Sequence, residues 1–432
     1  MRILKQEIYF PIIIAIHFLF WAIDLYFYKG SFMEVSSDTL LFGEMTNESW
    51  KNFHRILGEV FSSWVVTVFA FNFLMATRAK WVERIFGGLD KMYLIHRRSG
   101  VIAVFLLLAH FIIVPRDLVE FNLGKPLGFY AFALILTGVL LSALPVFKRK
   151  IPYRRWKNIH KLMGLFYVMG VVHGLMVRSL IQELPITKVY VFGMAFIGIA
   201  AWVYRAFLFN IFNKDLDYRI TEVNNLGHQI TEVVLKPVQK ELHYLAGQFA
   251  FFKFPSISKE QHPFTLSSHP YDDALRITVK GLGDYTNDLS NKLKTGDTAL
   301  VEGAYGHFSS SYIKETDQVW IAGGIGITPF LSLAKDVHPN KVHLYWCVNN
   351  NDEAVYVDEL QEVANKNPNF QITIWSSQKS GYLTTEKLKI ENYKNKGYLI
   401  CGPGALKESL IRGLLQKGVS RANIYDEEFA FR

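Results

Sequence analysis

Two cysteines in 432 residues are too few for a disulfide framework, a cysteine-rich metal site or a four-cysteine iron–sulfur cluster. No Cys-x-x-Cys-His run is present, which excludes c-type haem attachment, and no Asp-x-Asp-x-Asp-Gly loop is present, which excludes calcium control of the EF-hand kind within these residues. Internal repeats and low-complexity tracts are absent as well, so the chain is not a solenoid or a disordered arm. Acidic residues are scarce in the first half. Residues 1–212 carry 23 Lys and Arg against 12 Asp and Glu, a net of +11, whereas residues 213–432 carry 24 against 26, a net of −2. The basic excess coincides with long apolar runs, so it marks membrane orientation rather than nucleic-acid binding.

Six segments are long and apolar enough to cross a bilayer, which takes about 20 helical residues. They fall near Ile8–Tyr28, Leu57–Thr77, Tyr93–Val114, Leu127–Phe147, Ile159–Val177 and Val189–Phe209. The first has a long apolar run followed by Asp24 and no small-residue cleavage pattern, so it is expected to be a retained helix rather than a signal peptide. Basic residues gather between helices two and three (Arg78, Lys80, Arg84, Lys91) and between four and five (Lys148 to Lys150, Arg154, Arg155, Lys157, Lys161), while the loop after helix one holds Glu34, Asp38, Glu44 and Glu48. This bias places the N-terminus, both basic loops and everything after helix six on the cytoplasmic side of a cell membrane.

Beyond about Tyr218 the pattern changes to short alternating runs such as Gln229-Ile-Thr-Glu-Val-Val-Leu and Leu275-Arg-Ile-Thr-Val-Lys, which suggests a small antiparallel barrel. After Gln318, strand-like and helix-like stretches alternate, as in a parallel α/β sheet. Three domains are expected: 1–212 in the membrane, 213–314 as a β-barrel, and 315–432 as an α/β nucleotide-binding domain.

Four histidines form two pairs inside apolar helices, His96 with His110 and His160 with His173. A step of 14 residues turns an α-helix by about 1,400°, close to four full turns, so His96 and His110 share a face. A step of 13 falls about 140° short, and His160 and His173 need tilt, local distortion or side-chain reach to do the same. Helices three and five run in one direction, so His96 matches His160 in depth near the cytoplasmic side, and His110 matches His173 near the outer side. Two haems, each held by one imidazole from each helix, fill that arrangement. Both axial positions are then closed, which suits electron transfer. His17 and His54 lack such partners and are read as structural or interfacial.

The run Ile321-Ala-Gly323-Gly324-Ile-Gly326-Ile-Thr328-Pro329-Phe330 follows an expected strand and opens a helix, where close backbone approach and free N–H groups can receive a pyrophosphate. Alone it reads equally as a structural turn. Cys401-Gly402-Pro403, ending a later strand, favours the nucleotide reading. His262-Pro263-Phe264-Thr265-Leu266-Ser267-Ser268 offers donors for an isoalloxazine and a phosphate, although alone it would read as a Ser/Thr-rich strand end.

Together with Gly283-Asp284-Tyr285-Thr286 and Glu302-Gly303-Ala304-Tyr305-Gly306, these motifs stand in the order seen in the NADPH oxidase and ferric reductase superfamily, which the chain resembles over about Ile8 to Phe431, most nearly its bacterial oxidases without regulatory domains. The resemblance implies a six-helix transmembrane haem bundle followed by a ferredoxin-reductase-like FAD barrel and an α/β NAD(P)H domain. It implies that His96, His110, His160 and His173 ligate two b-type haems. His262, Pro263, Phe264, Thr265, Ser267, Ser268, Lys280 and Thr286 would bind FAD, with the Thr265 hydroxyl near the reactive edge of the flavin. Gly323, Gly324, Gly326 and Thr328 would receive the phosphates of the nicotinamide nucleotide, and Cys401, Gly402 and Pro403 would flank its ring. Phe429 matches an aromatic lid over the flavin, or else is a packed tail. Thr265, Cys401 and Phe429 are the candidates nearest the reaction.

At the position where relatives that use NADPH often carry Arg for the 2′-phosphate stands Asn349, which brings no charge, so NADH, NADPH or both are open as donors. Arg97, Arg98, Arg154 and Arg155 are read as ordinary positive-inside flanks or as partners of haem propionates, and Arg116 and Arg178 as residues beyond the outer ligands. The expected activity is electron transfer from cytoplasmic NAD(P)H through FAD and two haems to O2 outside, giving superoxide. A ferric-chelate reductase and a donor to an external protein are the alternatives. The lipid bilayer is the expected partner, with no nucleic acid and no obligatory protein partner evident.

Overall fold

The computed structural model describes residues 2–27, 47–115, 122–337 and 340–427. Two compact units are present: Lys5–Phe86 with Met92–Phe212, and Asn213–Arg432 with Met1–Leu4 and Gly87–Lys91.

In the first unit the helices are α1 (Arg2–Phe27), α2 (Asn47–Ala76), α3 (Lys80–Phe86), α4 (Leu89–Ile113), α5 (Gly124–Ala143), α6 (Pro145–Lys150), α7 (Tyr153–Lys161), α8 (Met163–Met176) and α9 (Pro185–Val203), followed by a π-helical turn (Tyr204–Leu208) and α10 (Phe209–Phe212). Helices thus stand at all six expected positions. Five helical stretches, Trp50–Ala76, Leu89–Ile113, Gly124–Ala143, Arg155–Met176 and Pro185–Phe212, are long and apolar enough to cross a membrane. The described apolar part of α1, Ile12–Phe27, is shorter, so six spans are five with one partial candidate. Apolar side chains here point outward as well as inward: Phe105, Ile112, Val189 and Phe196 are 67%, 68%, 75% and 73% exposed, a surface suited to lipid rather than water. The interior is closed by Trp64, Val68, Phe69, Ala103, Ile135, Met163 and Tyr167. Buried Asp24 accepts hydrogen bonds from the backbone N–H groups of Ile186 (3.3 Å) and Thr187 (2.6 Å), so a carboxylate satisfies the first-turn donors of α9 and complements its dipole.

The fifth span is interrupted. Tyr153–Lys161 and Met163–Met176 are separated at Leu162, whose N–H turns back to the Ile159 carbonyl at 3.0 Å in a three-residue step. Such a step rotates the chain further per residue than an α-helical one, and so reduces the angular shortfall between His160 and His173.

The second unit opens with a six-stranded antiparallel sheet in the order β4 (His262–Thr265), β3 (Phe249–Lys253), β6 (Thr298–Tyr305), β1 (Leu216–Asn225), β2 (Ile230–Pro237), β5 (Leu275–Lys280). Its two edge strands meet through a single bridge, Leu266 to Ile277. Phe252, Phe254, Ile277, Val301 and Leu289 of α11 (Asp284–Lys292) fill its core. Five parallel strands follow, ordered β11 (Ile424–Asp426), β10 (Gly397–Cys401), β7 (Asp317–Gly323), β8 (Lys341–Val348), β9 (Phe370–Ser376). Alternate residues of β7 serve opposite faces: Trp320 and Ala322 pack with Leu344 and Phe330, Val319 and Ile321 with Tyr398 and Leu410. Both faces are covered by apolar side chains, as a parallel sheet requires. The three-residue β11 has no expected counterpart, because its length carries no periodic signal.

Candidate functional site

Each of the four paired histidines has its Nδ1 held. His96 Nδ1 faces the Asn72 carbonyl at 3.2 Å, His110 Nδ1 the Gly58 carbonyl at 2.8 Å, and His173 Nδ1 the Gly124 carbonyl at 2.7 Å. A carbonyl only accepts, so each of these Nδ1 atoms donates, which leaves the lone pair on Nε2. His160 reaches the same state by a longer route. The Ser142 hydroxyl gives its one proton to the Gly138 carbonyl (2.8 Å) and therefore accepts from His160 Nδ1 (3.1 Å) and from Trp156 Nε1 (3.1 Å). Trp156 also stacks on the His160 ring, with centroids 5.1 Å apart. Such outer partners fix tautomer and orientation in metal-binding imidazoles.

The His96 and His160 ring centroids lie 6.0 Å apart. Two imidazoles bonded to one metal through Nε2 at about 2 Å each have centroids about 6 Å apart, so the spacing fits a shared ion. Among the described residues no group of three or more His, Cys, Asp or Glu gathers to hold a bare metal. A pair of imidazoles fits an ion whose remaining ligands come from a macrocycle. On the His173 helix a Cβ at Gly170 or Gly174 would meet nothing within 4 Å, whereas one at Gly128 would collide with the His173 ring.

His17 and His54 behave differently. His17 is buried against Ser63 (Nε2 to Oγ, 3.0 Å), and His54 bonds the Trp50 carbonyl through Nδ1 at 2.8 Å. Arg97, Arg98, Arg155 and Arg178 are exposed. The side chain of Arg154, all of Arg116 and Phe429 lie outside the described residues.

In the second unit, β4 carries His262, Pro263, Phe264 and Thr265, and the His262 ring stacks on Tyr285 with centroids 3.5 Å apart, which brings the first turn of α11 beside it. Thr265 is a buried residue of β4, and its hydroxyl forms no hydrogen bond among the described residues. Ser267 and Ser268 are engaged internally: Ser267 Oγ donates to the Arg276 carbonyl (3.1 Å), and Ser268 Oγ accepts from Arg276 N–H (2.9 Å) and pairs with Tyr244 OH (2.8 Å). Thr286 Oγ1 accepts from the N–H groups of Leu282 and Gly283 at 2.9 and 3.0 Å, and Lys280 pairs with Glu353 at 3.5 Å.

The two glycine turns meet at the C-terminal ends of the neighbouring strands β7 and β10, where β7 is also paired with β8. A Cβ on Gly326 would strike the Cys401 carbonyl, one on Gly323 would lie 2.8 Å from Pro403, and one on Gly402 (φ +158°) 2.9 Å from Gly323 Cα. Gly324 is left-handed (φ +54°) with open space at its Cβ position. The turn continues as a 3-10 segment, Gly324–Ile327, before a short α12 (Thr328–Leu333). Strand order reverses between β7 and β10, the usual ligand position in open α/β sheets. Asn349, past the end of β8, accepts on its carbonyl from Gln378 N–H (3.1 Å) and Ser376 Oγ (2.9 Å), and on Oδ1 from Ser377 Oγ (3.3 Å).

A chain of neighbours runs from Thr265 through Phe249, Gly306 and Glu427 to Cys401. Phe249 is the strand partner of Thr265, and a Cβ at Gly306 would sit 3.2 Å from the Phe249 ring and 3.6 Å from Glu427 Oε1, while Glu427 Oε2 is 4.0 Å from Cys401 Sγ. Glu427 and Lys407 are residues sequence reasoning missed. Both are buried, with Lys407 Nζ donating to the Glu427 carbonyl at 2.6 Å. Burial pushes the Glu427 carboxyl well above the ordinary range, and burial followed by the Glu427 charge does the same to the Cys401 thiol. No periodic or motif signal marks a single Glu near a chain end, so only the fold identifies it.

An apolar helical unit with paired histidines, an antiparallel flavin-type sheet and a parallel nucleotide sheet together define a membrane flavoprotein oxidoreductase. Three family models match in that order: a ferric reductase like transmembrane component over residues 61–171, an FAD-binding domain over 216–328 and an oxidoreductase NAD-binding domain over 320–410. Ferric reduction oxidase 7 of Arabidopsis thaliana is 29% identical over 227 residues, covering 44% of this chain and 30% of that protein. Respiratory burst oxidase homolog protein F of the same plant is 32% identical over 141 residues, covering 27% of this chain and 15% of that protein. A flavohemoglobin from Malassezia yamatoensis, solved with FAD and heme, shares the fold with a TM-score of 0.51 at 14% identity, over 89% of this chain and 100% of its own. The chain belongs to the NADPH oxidase and ferric reductase superfamily. The matched region is less than a third of the length of either plant relative.

Proposed function

We propose that this protein moves electrons from NAD(P)H, through FAD and two b-type haems, across the membrane to O2, giving superoxide. The observation that carries the proposal is the set of four intramembrane histidines whose Nδ1 atoms are all held by acceptors, which leaves four Nε2 lone pairs in two pairs. His96 and His160 would hold one haem, His110 and His173 the other. Bound flavin converts a two-electron hydride donor into one-electron steps, and haem iron carries one electron at a time. The residues of the second unit bind and orient: Gly323, Gly324, Gly326 and Thr328 on the nucleotide phosphates, Gly402 and Pro403 beside Cys401 at the nicotinamide, His262 to Ser268 with Lys280 and Thr286 on the flavin. The Thr265 hydroxyl, with no hydrogen bond among the described residues, would be available to the flavin edge, and the basic loops support a cytoplasmic side for this unit.

Likeness to a ferric reduction oxidase supports a second reading, in which a ferric chelate takes the electron at the outer face. Transfer to an external protein is the third. The deciding experiment is an optical titration of the purified protein with NADH and with NADPH, with and without O2. Two b-type haems and one flavin per chain are expected to be reduced anaerobically and reoxidised by O2 with superoxide formed, without added metal or partner. A protein lacking b-type haem, or whose haem stays oxidised under NAD(P)H, refutes the reading; faster reduction of chelated iron than of O2 selects the second.

A further inference from the structure

We infer that Glu59 is a positioning residue for the outer histidine pair, tying the acceptor of His110 to the segment that follows the His173 helix. The inference rests on the two-haem reading above and concerns residues that reading does not use. Gly58 in α2 supplies the carbonyl that holds His110 Nδ1 at 2.8 Å, and its lack of a side chain is required, since a Cβ there would strike Val114 at the end of the His110 helix. The next residue, Glu59, is a buried carboxylate in a span read as crossing the membrane. Such a group is costly and is retained only where its oxygens are matched by donors.

Its donors come from both sides of the pair. Arg55 Nε, one turn earlier on α2, lies 3.2 Å from Oε1, and Arg55 Nη2 reaches on to the Arg178 carbonyl at 3.4 Å. Oε2 accepts from Ser179 Oγ (2.8 Å) and from Ile181 N–H (3.0 Å). Ser179 is the N-cap of the 3-10 turn Leu180–Gln182, to which Ile181 belongs, and Gln182 Nε2 caps the end of α8 by donating to the carbonyls of Gly174 (2.8 Å), Leu175 (3.2 Å) and Val177 (3.0 Å). His173 lies in that last stretch of α8, one residue before Gly174. A continuous set of bonds therefore runs from the His110 acceptor through Glu59 and Gln182 to the backbone beside His173. Among the described residues no carboxylate corresponds at the inner pair: His96 and His160 rest on Asn72 and Ser142.

The test uses the full-length holoprotein and compares wild type with Glu59→Ala, Glu59→Gln and Asp24→Ala. Asp24 is the control, a buried carboxylate of the same unit whose bonds go to the start of α9 and not to a histidine segment. The readouts are haem-to-protein ratio, the low-spin ferric signals in electron paramagnetic resonance, and the two midpoint potentials. Outer partners of metal ligands typically contribute about 10- to 100-fold in affinity. Glu59→Ala should therefore weaken one haem by about that factor and move one signal and one midpoint, the same ones lost in His110→Ala, while the inner set stays. Glu59→Gln should restore most of it, because the carboxamide oxygen still accepts from Ser179 and Ile181. Asp24→Ala should lower thermal stability and leave both haem signals in place. Unmoved signals in folded Glu59→Ala, or both haems lost together as in a general loss of fold, overturn the inference. Should Glu59→Ala fail to fold, Ser179→Ala must shift the outer signal alone, and its failure to do so is equally fatal. A wild type without two b-type haems overturns the underlying reading together with this one.

Discussion

Single residues set the chemistry around the Gly323 and Gly402 turns. Glu427 is buried and its carboxyl is held above the ordinary value of 4.5, so the folded chain retains a proton that the unfolded chain releases first as pH rises. Its contribution to stability is present in acid and is lost as pH rises through the folded value. Glu427→Gln should remove that slope, so the melting temperature of the variant should gain on wild type as pH increases from about 5 to 8; parallel pH profiles would show that the burial cost is met elsewhere. Asn349 is pinned by Ser376, Ser377 and Gln378 but brings no charge. Asn349→Arg should raise the NADPH to NADH ratio of kcat/KM by about tenfold or more, the worth of a charge-assisted phosphate bond. An unchanged ratio would refute that placement of the 2′-phosphate. Asn349 is picked out by the family resemblance, at the place after the second nucleotide-domain strand where relatives often carry Arg, whereas Glu427 is not, since burial of a lone acidic residue leaves no trace in sequence pattern.

Between elements, the antiparallel and parallel sheets are joined by a polar seam. Arg276 on β5 makes a bidentate pair with Glu359 of α13 (Val357–Lys366), at 2.8 and 2.9 Å, approaches Glu232 on β2 at 3.4 Å, and lies over the Tyr356 ring. Arg276→Ala leaves two partly buried carboxylates facing each other and should cost about 3 kcal/mol. A denaturant melt followed by flavin fluorescence measures this, and pairing the change with Glu359→Leu should recover part of the loss. Helix and strand types were legible because period 3.6 and period 2 dominate long runs. The seam was not, because Arg276 and Glu359 stand 83 positions apart and no local rule couples them. The 13-residue step between His160 and His173 calls for tilt, local distortion or side-chain reach, and the three-residue turn at Leu162 provides a local distortion.

For the whole molecule, the proposed haem ligation would make the membrane unit more than an anchor. Replacing His110 or His173 by Ala should remove about half the haem and stop transfer to the external acceptor, while NAD(P)H still reduces the flavin. Undiminished superoxide output would sink the ligand assignment. The amino-acid sequence by itself determined the division into a basic apolar half and a near-neutral half, the order of helices and strands, the motifs and the histidine spacing, because these depend on composition and periodicity along the chain. Tertiary structure alone decided which nitrogen of His96, His110, His160 and His173 is engaged, that the Gly323 and Gly402 turns touch, that Glu427 stands beside Cys401, and that Glu59 joins two histidine segments. Those facts depend on hydrogen bonds and close packing between residues remote in sequence, and the physical forces that set them act only once the chain has folded.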